Sequence, residues 1–155
     1  MTPAIVFLNK QKVAFNTHQY EHDVSAASYA LEAADKLSVT PARIFKTLIV
    51  NLDQQSLGVA ILPADAQLSM KKVALALGAK KTAMADPQAA QRATGYVLGG
   101  VSPFGQKKRL PVCLDESAFN FESIYVSAGR RGLEVELAPE LFAALLASKT
   151  ANIRQ

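Results

Sequence analysis

Lys46-Thr47-Leu48-Ile49-Val50-Asn51-Leu52-Asp53-Gln54-Gln55-Ser56-Leu57-Gly58-Val59-Ala60-Ile61-Leu62 sets two apolar, partly β-branched runs around a polar break at Asp53–Ser56. Runs of that length and composition specify two largely buried strands, Lys46–Val50 and Leu57–Leu62, joined by a hairpin-length loop. Upstream, Thr2-Pro3 is an N-cap and first-turn pair, and the spacing of Ile5, Leu8, Lys12 and Val13 predicts an opening helix. Phe15 to Tyr20 alternates as a strand, the Ala-rich stretch from Ser25 or Ala26 to Leu37 reads as a helix, and Thr40-Pro41 starts a short turn. Downstream, Ser69 caps a helix over Met70 to Leu77 that Gly78 closes, Lys80 to Met84 reads as a short strand, and Asp86-Pro87 opens a helix ending near Gly95. Leu110–Leu114, Ser123–Ser127 and Leu133–Leu137 are short β-type segments, and Pro139 to Ala147 is an amphipathic helix. Strands in runs as well as beside helices predict an α/β (α+β) fold, with a mixed, curved or barrel-like β-sheet and helices packed outside, as one domain over 1–155.

Half of the 155 residues are hydrophobic, enough for a sizeable core without disulfides, and the single cysteine, Cys113, excludes an internal disulfide. The first residues lack a basic flank followed by a long apolar run, so no leader and no membrane span is expected and the location expected is the cytoplasm. Formal charge is +4, with cations grouped at Lys71-Lys72, Lys80-Lys81, Lys107-Lys108-Arg109 and Arg130-Arg131. Such clusters suit a polyanionic partner.

Gly99-Gly100-Val101-Ser102-Pro103-Phe104-Gly105 joins a glycine-rich, proline-stiffened loop to the cations at 107–109. Glycines admit a ligand close to the backbone, and exposed N–H groups there can hold an oxyanion or carboxylate. Zinc-type clusters, a Gly-x-Ser-x-Gly elbow, a Walker loop and a dinucleotide fingerprint are missing, so no metal and no cofactor is expected. His18 and His22 fall on strand and turn and would not share a face as paired metal ligands do. Cys113 sits between Val112 and Leu114 and reads as core. Ser102 has no evident base and reads as a hydrogen-bonding residue. Lys46 differs, because a cation within an apolar strand must reach water or find an anionic or carbonyl partner, and could there polarise an ester carbonyl or bind a phosphate. Tyr20 could pack or donate a hydroxyl into a pocket.

Tyr20-Glu21-His22-Asp23, Phe45-Lys46-Thr47-Leu48, Leu68 to Lys81, Ala85-Asp86-Pro87, Thr94-Gly95-Tyr96, Gly99 to Pro103 and Tyr125-Val126-Ser127, in this order, resemble the YbaK family. The resemblance covers most of the chain and is strongest to the family's Cys-tRNA(Pro) deacylases, which are similar to the editing domain of bacterial prolyl-tRNA synthetases. It implies a trans-editing enzyme whose substrate is the 3′ end of aminoacyl-tRNA, with prolyl-tRNA synthetase as a further partner. By the same resemblance Lys46 and Tyr20 are the catalytic-pocket residues, Gly99, Gly100, Val101, Ser102 and Pro103 form the substrate loop, and Ser127 and Gly129 line a second stretch of the pocket. Where the family often carries aspartate this chain has Glu134, which keeps a carboxylate one methylene farther out. The family's chemistry implies attack by the substrate's own thiol, with release of tRNA and a cyclic thioester. Two alternatives stay open: an Ala-tRNA(Pro) deacylase that uses water, and a non-catalytic tRNA- or synthetase-binding module.

Overall fold

The computed structural model describes residues 1–26 and 28–155. Its first helix, α1 (Pro3–Gln11), begins where the Thr2 hydroxyl accepts from the Ile5 N–H at 3.3 Å, and it stops at a left-handed Lys12, φ 56°. It is therefore two residues shorter than the apolar spacing suggests. Strand β1 (Asn16–Gln19) comes next. The second helix, α2 (Tyr29–Lys36), starts later than expected, because Ser28 caps it while Asp23 takes up the Ser25 N–H at 2.9 Å and fixes a turn. Part of the helix expected from Ser25 or Ala26 falls on Ala27, outside the described residues.

After a single 3-10 turn at Pro41–Arg43 come β2 (Phe45–Leu52) and β3 (Ser56–Pro63), paired antiparallel in full register with Lys46 opposite Leu62. The hairpin loop places both Asp53 and Gln54 in the left-handed region, φ 55° and 57°, a two-residue reversal that matches the twist of the strands. Helix α3 (Met70–Leu77) is capped by Ser69 and closed by Gly78, β4 (Thr82–Met84) returns beside β2, and α4 (Pro87–Thr94) is capped by Asp86 and closed by Gly95. Then come β5 (Val112–Asp115), β6 (Ile124–Arg130), β7 (Leu133–Leu137), α5 (Glu140–Leu146) and β8 (Lys149–Ala151).

The strands form two sheets, one in the order β1-β7-β6 and one in the order β4-β2-β3-β5-β8. The larger is mixed: β3, β5 and β8 run parallel, and β2, β3 and β4 antiparallel. A parallel bridge between Ile44 and Tyr125 links the two sheets at the entry to β2. Phe45, Ile49, Val59, Ile61 and Leu114 meet Val126, Val135, Leu137, Phe104 and Phe142 in the main core. Val50, Leu62, Cys113 and Ile153 form a second core under α3. Each fully buried Val, Leu, Ile or Phe side chain contributes about 1.5–3 kcal/mol; the main core holds the two sheets against each other, and the second holds α3 to the larger sheet.

Strand β8 was not expected. Lys149-Thr150-Ala151 has no apolar alternation, and the strand is held by backbone pairing to β5 and by two residues just beyond its end. Ile153 N–H donates to the wholly buried Asp115 at 2.9 Å, and Arg154 pairs with the same carboxylate at 2.9 Å.

Candidate active site

Strand β2 gives one edge to β3 throughout but the other to β4 only from Val50 to Leu52. Over Phe45–Leu48 the second edge carries no strand among the described residues, and a cavity of about 240 Å3 lies there. The walls come from four places: β2, the smaller sheet through Tyr20, Ser127 and Glu134, the start of α2 through Ser28 and Tyr29, and the loop through Leu98, Gly99 and Val101. A gap in sheet pairing thus becomes a pocket with strand backbone for a wall.

Lys46 is half-buried in this wall, and its Nζ donates to the Ala66 carbonyl at 2.6 Å. Burial lowers its pKa, only partly countered by the Asp65 charge. The partner that an apolar strand demands of a lysine is therefore a carbonyl, which a ligand oxygen can replace. Glu134 is 6% exposed and lines the same cavity, and burial pushes its carboxyl up to about 8. The Glu134 side chain makes no hydrogen bond and no ion pair among the described residues. Tyr20 is held by its backbone N–H on the Gly132 carbonyl at 3.0 Å, and burial followed by the Glu134 charge pushes its phenol up to about 12. It stays a neutral hydrogen-bond donor at any physiological pH.

Ser127 lies just before a β-bulge in β6, where pairing to β7 jumps from Ser127–Glu134 to Arg130–Leu133. Regular cross-strand pairing sets Ser127 beside Glu134 at the cavity, and in the bulge that follows Gly129, φ 108°, packs elsewhere: a Cβ there would stand 2.8 Å from the Tyr96 ring and 3.1 Å from Thr2 Cβ. Gly99, φ 85°, lies against the Tyr29 ring, which a Cβ would meet at 2.5 Å. Arg131 covers the Tyr29 ring at 4.3 Å and donates through Nη2 to the Leu98 carbonyl at 2.8 Å. Guanidinium, ring and glycine backbone thereby fasten the loop at the cavity mouth.

Of the ten residues singled out from the sequence, Tyr20, Lys46, Gly99, Val101, Ser127 and Glu134 line this one cavity. Gly100, Ser102, Pro103 and Gly129 do not line it. A Cβ on Gly100 would stand 2.9 Å from the Arg130 Cα, and the wholly buried Ser102 accepts from the Phe104 N–H at 3.2 Å. These residues shape the loop from behind. Pro103 borders a different depression on the far side of the loop. Ser28, Tyr29, Thr47 and Leu98 were not singled out, yet they line the cavity. Thr47 Oγ1 is buried with no hydrogen-bond partner among the described residues. Thr47 stands beside Lys46 in the block Phe45–Leu48 that carries the family resemblance, but the bare strand edge that opens it to the cavity is a tertiary fact.

The remaining polar candidates are satisfied elsewhere. His18 pairs with Glu136 at 2.9 Å and His22 with Glu32 at 2.7 Å, and Cys113 is buried in the second core with its thiol pushed up to about 11 by burial. Among the described residues none of the residues lining the cavity is a histidine or cysteine.

A family model for the aminoacyl-tRNA editing domain matches residues 24–145. A candidate Cys-tRNA(Pro)/Cys-tRNA(Cys) deacylase of Enterococcus faecalis, EbsC, is 37% identical over 155 residues, covering 98% of this chain and 92% of that protein. A proline–tRNA ligase of Acidithiobacillus ferrooxidans is 30% identical over 102 residues, which is 66% of this chain but 18% of the ligase. Among solved structures, a candidate trans-editing enzyme for prolyl tRNA synthetase superposes with a TM-score of 0.87 at 19% identity, covering 99% of this chain and 95% of the other. The hypothetical protein APE2540 superposes with a TM-score of 0.88 at 20% identity, covering 99% of each. At these identities the two superpositions establish the fold.

Proposed function

Since the chain belongs to the aminoacyl-tRNA editing domain family, we propose that it is a trans-editing deacylase that frees tRNA(Pro) from wrongly attached cysteine. The observation that carries this reading is the meeting of Lys46, Tyr20, Glu134 and the Gly99 backbone at one cavity without a histidine or cysteine to serve as base or nucleophile. Such a site is suited to positioning and charge stabilisation.

The substrate supplies the nucleophile. Its thiol sulfur bonds to its own carbonyl carbon, the ester C–O bond breaks, and the thiol proton ends on the departing ribose oxygen of tRNA. The cyclic thioester then opens in water to free cysteine. Lys46 leaves the Ala66 carbonyl for the ester carbonyl or the terminal phosphate and stabilises the charge that develops there. Glu134 faces the α-ammonium group, and ion pairing there would restore its carboxylate form. Tyr20 shapes the floor, and Gly99 and Val101 close over the aminoacyl end. Holding thiol and carbonyl together can contribute several kcal/mol to such an intramolecular step.

The resemblance of part of a proline–tRNA ligase to this chain supports prolyl-tRNA synthetase as the partner that hands over the charged tRNA. The whole chain, 1–155, acts as one editing domain in the cytoplasm, where charged tRNA is used. Among the described residues no helix is long and apolar enough to cross a membrane.

Three esters of one tRNA(Pro) test the proposal in single-turnover assays. Cysteinyl ester should be discharged and seryl ester, its oxygen counterpart, should not. Discharge of alanyl and seryl esters as fast as cysteinyl would replace thiol attack by attack of water. Loss of no ester, with salt-sensitive binding alone, would leave a binding module.

A further inference from the structure

The loop that closes the cavity has a second side. From Pro103 to Leu110 it borders a depression of about 250 Å3 together with α1 and α5, and among the described residues none lines both this depression and the Lys46 cavity. The floor is apolar, made by Phe7, Leu110, Leu145 and Leu146, and the rim is Lys107, Lys108 and Arg109. All three cations are exposed, and among the described residues their side chains make no ion pair or hydrogen bond. Nor does any acidic residue among those described line the depression.

The run is fixed in place. Lys107 and Lys108 donate their N–H groups to the Thr94 and Ala93 carbonyls at the end of α4, at 3.1 and 2.9 Å, and Gly105, φ 70°, lies on α1 so closely that a Cβ would stand 2.5 Å from the Pro3 carbonyl oxygen. The backbone that carries three unpartnered cations is therefore fixed beside an aliphatic trough, which lowers the backbone part of the ordering cost of binding an anion there. Phosphates of RNA would use the rim and leave the aliphatic floor bare. A peptide carrying apolar side chains flanked by carboxylates uses both.

We propose that this groove docks an acidic, amphipathic segment of a partner protein, whose Leu-, Ile- or Phe-type side chains seat on Phe7, Leu145 and Leu146 while its Asp and Glu side chains pair with Lys107, Lys108 and Arg109. The site lies outside the deacylation cavity and stands independently of the substrate assignment.

Panning a random twelve-residue peptide library on the full chain tests it, followed by anisotropy measurements on the enriched peptides. Enriched peptides should combine at least two carboxylates with apolar anchors. Their affinity should drop at least tenfold in the charge-reversed Lys108→Glu/Arg109→Glu variant and at least tenfold in Leu145→Ser, and be unchanged in Lys46→Ala. No enrichment, enrichment without acidic residues, or a drop with charge reversal alone would overturn the proposal. So would a tRNA acceptor minihelix whose binding depends on Leu145 as strongly as on the cations, which would give the groove to RNA.

Discussion

Glu134 and Glu136 stand two residues apart on β7 and project to the same side of the sheet, yet their surroundings push their carboxyl pKa values in opposite directions. At Glu136 burial works to raise the pKa, but hydrogen bonds from Ser123 and His18 and the Arg43 charge outweigh it and hold the carboxyl below its usual range. At Glu134 nothing opposes burial, and the carboxyl rises to about 8. A buried acid left without partners costs stability, and a carboxyl left bare toward a cavity beside a satisfied neighbour is what the proposed pairing with the substrate's α-ammonium group requires. The groups around Glu136 are spent on one another within the fold, whereas Glu134 faces the cavity with no partner of its own among the described residues.

The largest effect that tests this division is on rate. Lys46→Ala should slow single-turnover discharge of Cys-tRNA(Pro) by at least about tenfold, as expected when a charge stabiliser is lost, with little change in urea stability. An unchanged rate removes Lys46 from the cavity's chemistry. Gly99→Ala changes the wall while leaving the carboxyl alone: left-handed strain and the Tyr29 clash should cost about 2 kcal/mol and slow discharge, read by urea unfolding and the same assay. A neutral Gly99→Ala would mean that the Tyr29–Arg131 clamp has no grip on the loop. Glu136→Gln should cost about 1–2 kcal/mol while rate per folded molecule stays within threefold, because Arg43, Ser123 and His18 lose a charged acceptor. A rate collapse with intact stability would erase the distinction between the two carboxylates.

The last effect is a pH slope. With a carboxyl near 4.5 unfolded and about 8 folded, the native state holds the extra proton between those values. The stability of the protonated form is complete below the lower value and is lost as pH rises toward the upper one. Between pH 5 and pH 8 the wild type should therefore lose roughly 3 kcal/mol relative to Glu134→Gln, which keeps a neutral side chain throughout. Parallel urea-stability profiles for the two proteins would place Glu134 in water.

Much of this was legible in the sequence where local chemistry and burial agree. The hairpin of β2 and β3, the caps Thr2, Ser69 and Asp86, and the closing glycines Gly78 and Gly95 all appear where their residue types ask for them. The start of α2 was not legible, because Ser25 and Ser28 are equally good caps by residue type and the Asp23 turn decides between them. Strand β8 was hidden because Lys149-Thr150-Ala151 is ordered by a buried carboxylate outside its own segment. At the site, Lys46 was conspicuous for its apolar company, whereas Thr47 and Tyr29 acquire meaning only from the bare edge of β2 and the flat face of Gly99.

The N-terminal cap reaches farther than helix α1. The Thr2 hydroxyl, besides accepting from Ile5, donates to the Ala128 carbonyl inside the β6 bulge, and its Cβ fills the space that Gly129 leaves vacant. The second residue of the chain is thus a buttress for the strand that presents Ser127, and a change made there for convenience of expression would be transmitted through one peptide unit to the wall of the cavity.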